Sequence, residues 1–386
     1  MTPRDRDAPY FATFAAMGVT QLVLGPSIAT LRHTTGTSNG TIGVLFTVSA
    51  VGYLAGIVLS GQWIARRQVH TALRFGLLAM AAGLVLVPFA GSLGALVGIE
   101  ALIGFGTGWV EIPGNSAILW KHGGGAALNG LHASFSIGAV AAPIIIYRSL
   151  AWTNGLHTGY IVAAAIPVVA AIMLTSTRSP ANPHVAIGRG VPRGARARTA
   201  LGFVYFFAYV GVELAFAGWI YTYATLRGFD RAQGLYLGAA FLGAFAVGRL
   251  LSVRLARHLD AVTTLAIDHA VALTALLLLL AGRDSTFAVW TGTIVFGLGI
   301  ASLFPAMMSL SESLVPATGT ITSLYLAGSA IGTMAIPGSM GALLDHFGAP
   351  ALPVTALIGL CVTACAAIAF TPRGRSSTRR AVPVSS

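Results

Sequence analysis

Four acidic side chains, Glu100, Glu111, Glu213 and Asp268, fall inside long apolar stretches of the sequence. A charge at the centre of a bilayer costs at least about 2.5 to 3.5 kcal/mol on insertion scales, so each should face a cavity or a partner. Glu111 and Asn115 are four residues apart and share one helix face, as do Asn129, His132 and Ser136 in the next stretch. Together the two sets can line one polar wall. Carboxylates and amides suit the hydroxyls of a sugar, and a carboxyl at such depth can take up and release a proton. Glu111 is therefore the first candidate for an ion-coupling site, with a purely structural hydrogen-bond network as the alternative.

A second carboxylate, Glu213, follows Tyr209 by four residues and precedes Trp219, Tyr221 and Tyr223. Aromatic faces suit the apolar faces of sugar rings, which makes Trp219 and Tyr223 substrate-binding candidates, although aromatic residues also gather at membrane interfaces. Gln21 is the strongest polar group of the run Gly18 to Pro26 and joins the candidate list. Glu100 lies near the outer end of its stretch and reads as reaching the headgroups. Asp268, beside His269, reads equally as half of an internal ion pair with an arginine or as functional. Asp260 and Glu312 sit near cytoplasmic ends and read as solvated.

The elements that must position these groups follow from composition. The chain has 386 residues, 55% hydrophobic and only 9% charged, with a mean hydropathy of +0.80. A soluble domain carries about 25% charged residues. A bilayer core takes roughly 20 apolar residues per helix, and Gly, Pro and Arg divide this sequence at about that spacing. The predicted spans are 9–31, 39–61, 71–90, 95–118, 125–147, 157–176, 199–223, 233–255, 260–281, 286–309, 318–340 and 350–371. The charged start followed by apolar residues resembles a signal peptide, but the run is too long and lacks a cleavage site, so it reads as an uncleaved first helix.

The net charge of +12 is a topology signal, not a sign of nucleic acid. Arg4, Arg6, Arg66, Arg67, Lys121, the arginines from Arg178 to Arg198, Arg254, Arg257 and the tail's Arg373, Arg375, Arg379 and Arg380 fall on one side. The other side has Arg32, Arg148, Arg227, Arg231 and Arg283. Basic loops stay in the cytoplasm, which places both termini there. Cys361 and Cys365 share a face of the last span and read as a buried pair of small apolar residues, with neither a disulfide framework nor a metal site.

The segment between spans six and seven is rich in Pro, Gly and Arg and cannot be a helix in lipid. Three echoes cross it. Ile137-Gly138-x-x-Ala141-x-Pro143 matches Ile331-Gly332-x-x-Ala335-x-Pro337, Phe105-Gly106-x-Gly108 matches Phe296-Gly297-x-Gly299, and Gly56-x-x-Leu59-Ser60 matches Gly248-x-x-Leu251-Ser252. Offsets of 191 to 194, in one order, point to a duplicated six-span unit, one plan of secondary transporters. The organisation expected is an N-terminal six-helix half at 1–176, a cytoplasmic linker at 177–198, a C-terminal half at 199–371 and a cytoplasmic tail at 372–386.

Val-Glu111-Ile-Pro-Gly-Asn115, Asn129-Gly-Leu-His132-Ala-Ser-Phe135-Ser-Ile-Gly138 and Tyr209-Val-Gly-Val-Glu213 with Gly218-Trp219 resemble segments of the fucose permease-like sugar symporters of the major facilitator superfamily, including the animal sodium-dependent glucose transporter branch. The resemblance implies an all-α fold of twelve transmembrane helices in two halves, alternating access, Glu111 in proton or cation coupling and Asn129 near the sugar. Two features depart from it. The first span has no Asp where the fucose permease couples protons, and Gly61-Gln-Trp-Ile-Ala65-Arg66-Arg67 lacks the Asp of the superfamily's loop signature, of which Gly248-Arg249 with Arg254 and Asp260 retains more.

The expected function is a proton- or sodium-coupled symporter of a sugar or other polyhydroxylated molecule, with a proton antiporter exporting drug-like or cationic compounds as the alternative. An enzyme is not expected: there is no HExxH, and Gly104-x-Gly106-x-Gly108 lacks the strand, turn and helix of a nucleotide loop. The expected setting is a monomer in the cell membrane, a cell inner membrane, with no cofactor beyond a coupling proton or sodium ion and with a small-molecule substrate and the bilayer as partners.

Overall fold

A computed structural model describes residues 7–64, 68–122, 125–180, 191–255, 258–282, 285–315 and 319–372. The middle of the predicted linker, most of the tail, and Arg4, Arg6, Arg66, Arg67, Arg257 and Arg283 lie outside the described residues. Among those described there is no strand.

Twelve helices are long and apolar enough to cross a membrane: α1 (Ala8–Thr35), α2 (Asn39–Ile64), α3 (Val69–Phe89), α4 (Leu93–Lys121), α5 (Gly130–Thr153), α6 (His157–Ser176), α7 (Arg193–Leu226), α8 (Arg231–Ser252), α9 (Ala261–Ala281), α10 (Thr286–Leu314), α11 (Thr320–Phe347) and α12 (Ala351–Phe370). Each overlaps its predicted span. We call the face carrying the α1–α2, α3–α4, α5–α6, α7–α8, α9–α10 and α11–α12 connections distal and the other basal.

Two helices are broken beside a proline, and α2 is interrupted at Gly43, between Asn39–Ile42 and Val44–Ile64. α1 runs as Ala8–Leu22 and Leu24–Thr35, and α10 as Thr286–Ile300 and Leu303–Leu314. Pro26 and Pro305 stand four residues after Leu22 and Ala301, and a proline has no N–H to offer the carbonyl four residues back. At the second break two carbonyls accept from α7. The Tyr209 hydroxyl donates to the Ile300 carbonyl at 3.0 Å and the Tyr205 hydroxyl to the Leu303 carbonyl at 3.2 Å.

The helices form two bundles of six. α2 packs on α4 and α1 on α5 in the first, as α8 packs on α10 and α7 on α11 in the second. The duplication is visible at atomic level. A Cβ on Gly138 would strike the Ala15 carbonyl of α1, and a Cβ on Gly332 the Phe207 carbonyl of α7. Only glycine permits these crossings, whose backbones meet as closely as small-residue membrane interfaces allow.

The same contacts correct one sequence echo by two residues. Gly104 abuts Ser49 of α2 and Gly106 abuts Met80 of α3, whereas Gly297 abuts Phe241 of α8 and Gly299 abuts Ala272 of α9. Gly297 therefore does the work of Gly104 and Gly299 that of Gly106, an offset of 193 (297 − 104) in place of 191. In this register Gln21 of α1 and Glu213 of α7 are equivalent positions, 192 apart (213 − 21). A second correction concerns the cysteines: Cys361 and Cys365 are free and exposed on the outside of the bundle, where apolar thiols meet lipid as well as they would a core.

The halves meet through α2 with α11, α5 with α8, and the distal part of α1 with α7. Asp345 near the distal end of α11 accepts from the Asn39 side-chain amide and from the Gly40 backbone N–H, each at 2.6 Å. The Thr47 hydroxyl donates to the Met334 carbonyl at 3.0 Å. Tyr147 and Tyr236 lie 4.9 Å apart between ring centroids, and Phe46 and Trp219 5.5 Å apart. All of these contacts lie in the distal half, so the distal face is closed.

Candidate functional site

Polar side chains converge between the halves from five helices. On α4, Asn115 Nδ2 donates to Glu111 Oε1 at 2.9 Å, the pairing that a four-residue spacing predicts. Asn115 Oδ1 has no partner among the described residues, which leaves an acceptor for a ligand hydroxyl. Tyr53 of α2 stands within electrostatic reach of the Glu111 carboxylate. Both α4 residues are half-buried, Pro113 lies between them inside an unbroken helix, and Gly114 leaves room for the Phe14 ring of α1.

From the other half, Arg249 Nη2 of α8 approaches Glu213 Oε1 of α7 to 3.8 Å. The guanidinium Cζ sits 4.5 Å from the Phe245 ring centroid, and Arg249 Nε has no partner. His132 of α5, edge-on to Phe14 at 5.8 Å, lies within electrostatic reach of the same guanidinium. Arg249 thus pairs with a carboxylate of its own half while facing an imidazole of the other. Glu213 is offset by Arg249, whereas Glu111 has no basic partner among the described residues. The sequence reading placed Arg249 in the better-retained copy of the loop signature and missed it as a site residue. An arginine inside the predicted span 233–255 was the available signal.

The remaining candidates separate. Gln21 is half-buried next to the α1 break. Asn129 lies in the helical turn leading into α5, and its side chain is outside the described residues. Ser136 is buried and donates to the His132 carbonyl of its own helix at 3.1 Å. Trp219 is 0% exposed, and its Nε1 donates to the Pro337 carbonyl at 2.9 Å. Tyr223 is buried as well. The structure therefore places Trp219 and Tyr223 in the packed distal closure, apart from the polar cluster of Glu111, His132, Glu213 and Arg249.

Two carboxylates are not where the sequence reading expected them. Glu100 does not reach headgroups: it is 3% exposed, facing Ser49 of α2. Asp268 pairs with no arginine among the described residues. It accepts a 2.6 Å hydrogen bond from Ser302 at the α10 break, while His269 Nε2 meets Thr363 Oγ1 of α12 at 3.0 Å. Asp268 and His269 therefore tie α9 to α10 and α12.

Comparison with known proteins agrees with this architecture. A family model described as Major Facilitator Superfamily matches residues 10–337. The sodium-dependent glucose transporter 1 of Xenopus laevis is 31% identical over 377 residues, which cover 89% of this chain and 77% of that protein. The crystal structure of a bacterial homologue of the human lysosomal transporter Spinster, in an inward-facing and unoccupied conformation, superposes with a TM-score of 0.70 at 15% identity, covering 94% of this chain and 95% of that one. The major facilitator transporter FucP in its outward conformation superposes with a TM-score of 0.64 at 17% identity, covering 95% and 98%. The resemblance to fucose permease-like sugar symporters read from three short segments thus extends over most of the chain. With twelve apolar helices in two duplicated bundles and a family match from the first helix into the eleventh, the chain is a multi-pass membrane transporter that belongs to the Major Facilitator Superfamily.

Proposed function

We propose that this chain is a secondary transporter that takes up a sugar or similar polyhydroxylated molecule by alternating access, driven by a coupled proton or sodium ion. The observations that carry the reading are the Glu111–Asn115 pair of one half, the Glu213–Arg249 pair of the other, and His132 within electrostatic reach of Arg249 across the interface. Hydroxyl-rich ligands need acceptors and donors in alternation, and this cluster supplies carboxylate, amide, imidazole and guanidinium groups within one interface. The name of the Xenopus laevis relative, a sodium-dependent glucose transporter, supports both the substrate class and the coupling.

In this reading both termini are cytoplasmic, the distal face is extracellular and the distal contacts close the extracellular side. Glu111 carries the coupled cation: a carboxylate neutralised by its ion costs less to move through a closed, dry intermediate than a charged one. Asn115, His132 and Gln21 orient the substrate, Asn129 contributes from α5, and Glu213 with Arg249 forms the opposite wall. Trp219 and Tyr223 then act on the substrate only in the state whose distal face is open. Two bundles of six, 1–176 and 199–371, rock about the site as rigid units, and one copy of the chain contains the whole path.

Reconstitution tests the proposal. Proteoliposomes containing the chain should accumulate a labelled hexose or polyol under an inward proton or sodium gradient and lose that dependence in Glu111→Gln. If sugar uptake is absent while the chain confers resistance to lipophilic cations, the antiporter reading replaces this one. The Glu213–Arg249 pairing, which gives Glu213 a basic partner of its own, favours the symporter.

A further inference from the structure

Glu100 is a buried carboxylate for which nothing so far accounts. It lies on α4 in the distal part of the N-terminal bundle, eleven residues from Glu111 (111 − 100), about 16 Å along a helix that rises 1.5 Å per residue. It is 3% exposed, and no Lys, Arg or His pairs with it among the described residues. A buried carboxylate without a counter-ion is strongly unfavourable, so such groups hold a proton or a metal cation.

The polar groups beside it among the described residues are oxygens. Ser49 of α2 offers its hydroxyl to the carboxylate. Tyr160 of α6 is 0% exposed and lies within electrostatic reach of Glu100. Ser27 of α1, also fully buried, is the polar neighbour of that phenol, and it donates to the Val23 carbonyl at 2.7 Å. One carboxylate with three hydroxyl oxygens drawn from four helices, and no nitrogen or sulfur, suits a hard cation of low charge.

We infer that Glu100, Ser49, Tyr160 and Ser27 form a sodium-binding site in the distal half of the N-terminal bundle, separate from the Glu111 cluster. The inference rests on the cation-coupled reading above and adds to it a second cation site, apart from the one assigned to Glu111. The site also has a route to the distal closure. Ser27 belongs to the distal segment of α1, whose Gly25 lies against the Gly218 backbone of α7. An ion that draws Ser27 towards Glu100 holds that segment, and with it the α1–α7 contact between the halves.

The test is thermal unfolding of the purified full-length chain at neutral pH and constant ionic strength, in sodium, potassium or choline chloride. A ligand that binds only the folded state raises the melting temperature with concentration. Sodium, and neither potassium nor choline, should raise it by several degrees. Glu100→Gln should abolish the sodium response while unfolding cooperatively, and Tyr160→Phe and Ser49→Ala should raise the half-saturating sodium concentration several-fold. Glu111→Gln should keep the response. The inference is overturned if the wild-type chain shows no sodium-specific shift, if Glu100→Gln retains it, or if only Glu111→Gln loses it. A melting temperature that follows pH and ignores sodium also overturns it, because Glu100 is then simply protonated. Gradient-driven sugar uptake, measured in the same variants, separates the two readings: uptake that persists without a sodium shift removes this site and leaves the transporter proposal standing.

Discussion

Asp345 caps a helix of the opposite half. Its two carboxylate oxygens accept separately from the Asn39 amide and the Gly40 N–H, each at 2.6 Å. Gly40 lies in the first turn of α2, where backbone N–H groups have no partner within the helix and the macrodipole favours an anion.

The first prediction concerns this latch. Two charge-assisted hydrogen bonds at a partly solvated position are worth roughly 1–2 kcal/mol together. Asp345→Ala should therefore shift the balance of states towards an open distal face by roughly 5- to 30-fold. Spin–spin distances between labels on the α1–α2 and α11–α12 connections report it, and an unchanged distance distribution would remove Asp345 from the closure.

The second prediction uses the duplicated crossings. Gly138→Ala and Gly332→Ala each drive a methyl group into a backbone carbonyl, of Ala15 and Phe207 respectively, and neither carbonyl can turn aside within its helix. Overpacking of this kind costs about 1–3 kcal/mol. Each variant should melt several degrees lower than wild type in detergent, whereas Gly94→Ala and Gly98→Ala, which meet nothing, should not.

These residues also indicate how much was readable in the sequence. Twelve spans and their duplication were, because hydropathy and small-residue spacing are properties of the chain in one dimension. The rotation of each helix was not. Glu100 read as an interfacial group because its position near a helix end says nothing of which neighbours cover it, and α2 and α6 cover it completely. Arg249 read as part of a loop signature because its partner Glu213 is 36 residues away on another helix (249 − 213). The two-residue slip between Gly104 and Gly106 arose because alternate glycines on one helix serve different neighbours, which only the packing distinguishes. Trp219 read as a sugar platform, and its burial depends on a conformational state that composition does not encode.

The third prediction is a pH dependence at Asp260, in the loop before α9. Its carboxylate accepts from the Thr263 N–H at 2.8 Å and the Thr263 hydroxyl at 3.1 Å, and these bonds, the backbone one foremost, hold it below the usual carboxylate range. A folded-state value depressed below the unfolded one adds stability that is present above the unfolded value and is lost as pH falls through the folded one. At neutral pH Asp260→Ala should destabilise by about 1 kcal/mol, as loss of a helix cap does. The difference from wild type should shrink as the medium is acidified below the ordinary carboxylate range, and Asp260→Asn, which keeps the acceptor, should follow wild type more closely at neutral pH. A gap between Asp260→Ala and wild type that is independent of pH would disconnect the cap from its charge.

The fourth prediction separates pairing from charge at the opposite wall of the cluster. Glu213 and Arg249 are 15% and 26% exposed and 3.8 Å apart, so each is the main compensation for the other's partial desolvation. Removing one partner of a fully buried pair costs 3–5 kcal/mol, and exposure of this degree should reduce that to roughly 1–3 kcal/mol. Glu213→Gln and Arg249→Met should each lower stability, and the double variant should lose less than the sum, because no unpaired charge remains. Transport should respond differently. Arg249→Met leaves Glu213 without its basic partner, a change that attracts cations, so binding of a lipophilic cation should tighten while hexose uptake falls. Equilibrium unfolding of the four-member cycle gives the coupling energy, and competition by a fluorescent cation gives the change in selectivity. Strict additivity in stability would mean that the two side chains meet without compensating each other.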